Sequence, residues 1–187
     1  MRTIALSLAL GLTVSGLMAG PAFSEPQREA VSSTLSPEAA AAVFDDAVIT
    51  ACVPAVAAGG IPAAARAKLQ ATSDAATRRQ AGAGADEAVW DVLAGKGVVT
   101  IHEKAGRCVV SVYGPPAMAT ISTLANLLAN SNFERLAGAV QANGFGQTLT
   151  RTEGGKRVMV VLTGSDPGMP GHQSQFSVIR ATVFSAS

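Results

Sequence analysis

Histidine and cysteine are scarce in this chain, two of each in 187 residues, and aromatic (4%) and charged (14%) residues are also few. Cys52 and Cys108 are 56 positions apart, which excludes a Cys-x-x-Cys redox pair, and with the distant His102 and His172 they show no metal-ligand spacing. No Gly-x-Ser-x-Gly elbow is present. Gly95-Lys96-Gly97 and Gly82-Ala83-Gly84 lack the strand, glycine loop and helix context of a phosphate loop, so no cofactor is expected. Neither charge sign is in excess: 14 basic and 13 acidic residues give a formal charge of +1. That balance argues against nucleic acid or an anionic membrane surface as partner, because each requires a cationic surplus. The single tryptophan, Trp90, reads as a core or rim filler rather than a stacking platform.

The N-terminus has the form of a secretory signal: Arg2, an apolar run from Ile4 to Met18, then small residues, with cleavage expected after Ser24. The apolar run is shorter than the roughly 20 residues that span a bilayer, so no stable span is expected once residues 1–24 are removed. An exported chain with two cysteines predicts a Cys52–Cys108 disulfide, since the export compartment is oxidising.

Residues 25–35 read as a flexible polar leader and residues 36–187 as one α+β domain. Ser36-Pro37-Glu38 is a helix start, with Phe44, Val48 and Cys52 at i, i+4 and i+8 on the buried face. Pro54 and Gly59-Gly60 are expected to end this helix, and Pro62 to open a second running to about Thr72. Residues 73–85, with Arg78-Arg79, read as a solvated loop, and Trp90 as part of a strand. The runs 97–102 and 107–113 form a hairpin, stopped by Gly114-Pro115-Pro116. Met118, Ile121, Leu124, Ala125 and Leu128 mark a third helix. Ser131-x-x-Glu134 reads as the capping box of a fourth, with Phe133, Leu136, Ala137 and Val140 on one face and a stop at Asn143-Gly144. Strands are expected at 147–152, 157–163 and 175–184, the last with Val178 and Arg180 opposed to Ile179 and Ala181. The predicted fold is two N-terminal helices, then an antiparallel sheet of about five strands with helices packed on one face and one disulfide.

The order of a signal, a helix with one cysteine, a tryptophan, GRCVVSVYG, a helical segment and the pair RTEGGKRVMVVLTGS and QFSVIRA resembles small exported proteins of Gram-negative bacteria. The resemblance implies a periplasmic location and carries no activity to any residue.

The sequence therefore points to a periplasmic or secreted binding or interaction module, non-enzymatic, with an envelope protein or small ligand as partner. Its contact surface is expected on a sheet face or on the loop 164–173, which holds Ser165, Asp166 and His172, since binding residues concentrate on loops. The alternative is a small envelope hydrolase using His102 or His172. His102 and Glu103, as strand neighbours, are expected to point to opposite faces at a solvated strand end.

Overall fold

The computed structural model describes residues 35–84, 87–104, 106–141 and 144–186. The signal-like segment 1–24 and the leader up to residue 34 lie outside the described residues. Helix α1 spans Pro37–Ala58. It begins as expected, with the Ala39 N–H donating to Ser36 Oγ at 3.2 Å and Pro37 in the first turn. Pro54 does not end it. Proline has no N–H and its ring crowds the carbonyl four residues back. The stretch Ala47–Cys52 is π-helical, and the Val53 N–H reaches back five residues to Val48 O. The wider turn makes room for Pro54, and α-helix resumes over Val53–Ala58 until Gly59, at φ 89°.

The second helix is far shorter than expected. Only Ala63–Arg66 is helical (α2), and Leu69–Ala71 forms strand β1. Alanine-rich sequence favours helix but offers no apolar stripe to bury, so pairing of Ala71 with Trp90 decides the conformation. The expected loop 73–85 contains helix α3, Ala75–Ala81, capped by Asp74 Oδ2, which accepts from the Thr77 N–H at 2.6 Å. Trp90 lies in strand β2, Ala88–Val92. The predicted hairpin follows as β3, Val99–Lys104, and β4, Arg107–Tyr113. Helix α4, Ala117–Asn130, buries Ile121, Leu124, Ala125 and Leu128 and leaves Met118 exposed.

The expected fourth helix is a strand. Asn132 takes a left-handed φ of 65° and closes α4, and Glu134–Gln141 becomes β5, antiparallel to β6, Gly144–Glu153. Strands β7, Lys156–Ser165, and β8, Val178–Ala186, complete the sheet. Among the described residues there are thus eight strands rather than about five, in the order β1-β2-β3-β4-β8-β7-β6-β5, every neighbouring pair antiparallel. Each long helix precedes four strands, and the last strands of the two sets, β4 and β8, pair at the centre.

Strand alternation separates two faces. One carries Cys108, Val110 and Val112 of β4, Ile179, Ala181 and Val183 of β8, and Val158, Val160 and Leu162 of β7, all buried in one core with residues of α1 and α4. The expected disulfide is present: Cys52 of α1 and Cys108 of β4, both fully buried, are bonded with a Cα–Cα distance of 5.3 Å. Helix α1 is long and apolar enough to cross a membrane by length and composition. Here its Phe44, Val48 and Cys52 are fully buried in the core. Helix packing is not confined to that face. On the opposite side α3 lies over β4 and β8, where Gln80 O accepts from Tyr113 Oη at 3.3 Å and from Arg180 Nη2 at 3.5 Å.

Candidate functional site

The loop between β7 and β8 is ordered by a short chain of polar contacts. Asp166 Oδ1 accepts from the Ala117 N–H at 2.8 Å, which ties the loop to the first turn of α4. Turns follow, Met169 N–H to Asp166 O at 3.2 Å and His172 N–H to Met169 O at 3.0 Å. They bring His172 back over the end of β7, where its Nδ1 lies 2.7 Å from Ser165 Oγ. The other ring nitrogen, Nε2, is 2.9 Å from Phe176 O. A carbonyl only accepts, so Nε2 carries a proton; in the neutral ring Nδ1 is then the acceptor and the Ser165 hydroxyl donates to it. Ser165 and His172 therefore meet. Asp166, the third polar residue of the loop, faces α4 and takes no part in the pair. The place an acid would hold behind the imidazole belongs to a main-chain carbonyl.

Beside this pair opens a cavity of about 360 Å³ lined by Ser165, Pro170, Gly171, His172, Gln173, Ser174 and Val178. Among the described residues no Asp, Glu, Lys or Arg lines it. The sequence singles out Ser165 and His172 and includes Gln173 in the loop 164–173, but not Ser174 and Val178; the density of glycine and proline in 164–171 is the available signal that the chain doubles back there. Phe176, assigned to the strand from sequence, precedes it and is 60% exposed.

His102 lies in the expected hairpin strand but is buried there. It is 3% exposed, so it is not a solvated strand end. Its Nε2 lies 2.6 Å from Glu87 Oε2, a close contact that does not have hydrogen-bond geometry. Glu87 also meets Lys104 Nζ at 2.5 Å and accepts from the Gly84 N–H at 2.8 Å. Lys104, the Gly84 N–H and His102, in that order, hold the Glu87 carboxyl down to about 2. Arg78 is not merely solvated: its Nη2 donates to Gly84 O at 2.7 Å and Glu87 O at 2.9 Å. The cluster fastens the α3 segment to the sheet and presents no open position to a substrate. Glu103 points to the other face, as alternation requires, and lies 3.6 Å from Arg66 Nη1. The Arg66 guanidinium stacks over Trp90 at 3.9 Å, which fits the rim role read for that tryptophan.

A second cleft, about 410 Å³, is lined by Asn132, Glu134, Thr150, Arg151, Thr152 and Arg157. Its cations have internal tasks. Arg151 is paired with Glu153 and donates to Ser131 O at 2.9 Å, and Arg157 Nε donates to Thr150 Oγ1 at 3.2 Å. Among the described residues no group of three or more His, Cys, Asp or Glu could hold a metal ion. The chain matches no known protein family, no curated protein and no solved structure.

Proposed function

We propose that this protein is an exported, non-enzymatic binding module of the periplasm or of the secreted fraction, with the cleft between the β7–β8 loop and the end of the sheet as its contact site. The observation that carries the reading is the loop itself. Its cleft is held open by contacts within the protein, Asp166 to α4 and Ser165 to His172 to Phe176, so a ligand would find it formed. The signal-like N-terminus and the buried disulfide agree with an oxidising compartment, and the near-zero charge with a partner that is neither nucleic acid nor an anionic membrane. The test is a nuclear magnetic resonance screen of the oxidised protein against envelope-derived small molecules. The expected result is that bound compounds shift amide signals of residues 165–178 and are recovered unchanged. Compounds that shift only signals elsewhere would reject the cleft.

The 2.7 Å contact of Ser165 with His172 favours one alternative, a small envelope hydrolase in which His172 would take the Ser165 proton as the oxygen attacks an ester. His102, the other candidate base, lies buried against Glu87. That reading requires turnover of an activated ester, lost in both Ser165→Ala and His172→Ala; turnover unaffected by either change would exclude it.

A further inference from the structure

We infer that the loop cleft takes a neutral polyhydroxylated ligand, a saccharide unit, an inference that rests on the cleft being the binding site and adds the chemistry of what it binds. Once the loop has satisfied its own hydrogen bonds, several donors and acceptors are left over. Ser165 gives its proton to His172 Nδ1, so its oxygen retains lone pairs for an incoming hydroxyl. His172 is occupied on both nitrogens, by Ser165 and by Phe176 O, and acts as a fixed wall. Ser174 Oγ accepts from the Phe176 N–H at 3.1 Å, which leaves its O–H to donate. Among the described residues the Gln173 side chain makes no hydrogen bond, so its amide offers both a donor and an acceptor. The cleft thus presents acceptor and donor functions in mixture.

That mixture discriminates between ligand classes. A carboxylate or phosphate needs donors and a counter-charge, and an ammonium needs acceptors and a carboxylate; among the described residues the lining has no Asp, Glu, Lys or Arg to supply either. A vicinal diol, in which each hydroxyl both donates and accepts, uses every function on offer. Pro170, Gly171 and Val178 supply the apolar wall against which the C–H face of a sugar ring packs. The cavity of about 360 Å³ lies near the lower end of ligand-sized pockets, roughly 300–1,000 Å³, which suits one or two ring units rather than a long chain.

The experiment titrates the isotope-labelled oxidised protein with cellobiose and maltose, and in parallel with glucose 6-phosphate and glucosamine as charged counterparts. Expected are shifts of the Gln173, Ser174 and His172 signals with the neutral disaccharides and weaker binding of the charged sugars. Ser165→Ala and Gln173→Ala are each expected to weaken the disaccharide roughly tenfold, the effect of one lost hydrogen bond. Gln173 is exposed, so its loss leaves folding intact. Charged sugars or other envelope molecules that bind the cleft while neutral disaccharides do not would overturn the saccharide inference and leave the binding site standing. If no compound of any class moves these signals, both readings fall. Binding that neither variant weakens would also overturn the inference.

Discussion

Asp45 and Asp46 are adjacent acids in α1 that the sequence does not tell apart, and packing gives them opposite fates. Asp46 is exposed and lies 3.6 Å from Lys68 Nζ. Asp45 is 8% exposed, and its Oδ1 has no hydrogen-bond partner. Burial raises its carboxyl to about 7. A carboxyl that is harder to ionise in the folded state binds more protons there than in the unfolded chain, so its contribution is fully present below about pH 4 and is lost as pH rises through 7. Glu87 runs the other way: its carboxyl is held down to about 2, so the stabilisation it brings is complete above its ordinary range near 4.5 and is lost as pH falls toward 2. Asp45→Asn is therefore expected to stabilise the protein by about 2 kcal/mol at pH 8, with the gain vanishing near pH 4 where the native acid is also neutral. Glu87→Gln is expected to destabilise at pH 7 and to cost little at pH 2. Urea melts of the wild type and the two variants at pH 2, 4, 7 and 8 measure both; an Asp45→Asn protein that is less stable at pH 8 would mean that Asp45 is ionised and partnered.

At the level of elements, the stretches that bury a continuous apolar stripe were the legible ones. The start of α1, helix α4 and the β3–β4 hairpin have side-chain periods of helix or strand that coincide with what the core demands. Legibility fails where the deciding partner is distant in sequence. Ser131-x-x-Glu134 has the form of a capping box, yet Glu134 sits opposite Thr150 in the sheet, and β5 exists because β6 offers it a ladder. The same holds for β1, which only β2 defines. In the candidate site Ser165 and His172 were visible as loop polar residues, but their contact depends on the turns after Asp166 and on the anchor to α4. That anchor depends in turn on a glycine. A Cβ at Gly164 would lie 3.0 Å from Ile121 Cδ1, 3.1 Å from Ala117 Cβ and 3.2 Å from Val178 O, so β7 can approach the first turns of α4 only because nothing projects there. Gly164→Val is expected to cost about 1–3 kcal/mol through overpacking. It should also loosen the loop, because the displaced Ala117 is the residue whose N–H holds Asp166. Thermal unfolding reads the first effect and amide exchange over residues 166–177 the second.

Over the whole molecule, two helix-plus-four-strand sets join in the sheet at the seam between β4 and β8, and α1 reaches across it onto β8 and β7. The first set is the less regular of the two, with its π turn, its three-residue β1 and the α3 segment carried on the opposite face. The sequence of the two sets carries no repeat at a fixed period. The disulfide sits beside the seam. It bonds the helix of the first set to β4, the strand that pairs directly with β8, so it secures α1 where the two sets meet. A cross-link over 56 positions restricts the unfolded chain by about 4 kcal/mol in the chain-entropy model, a large share of the total stability of about 5–15 kcal/mol usual for a domain. Cys52→Ala/Cys108→Ala removes that restriction and also leaves two small voids in a fully buried contact, so the double variant is expected to lose about 4 kcal/mol or more in urea unfolding. Because α1 packs most heavily on β4, and beyond it on β8, β7 and β3, while α4 packs most heavily on β6 and β7, the loss should fall unevenly. Amide exchange in β3 and β4 is expected to rise before exchange in β6 and β7, and a uniform rise across the sheet would mean that the two sets unfold only as one unit.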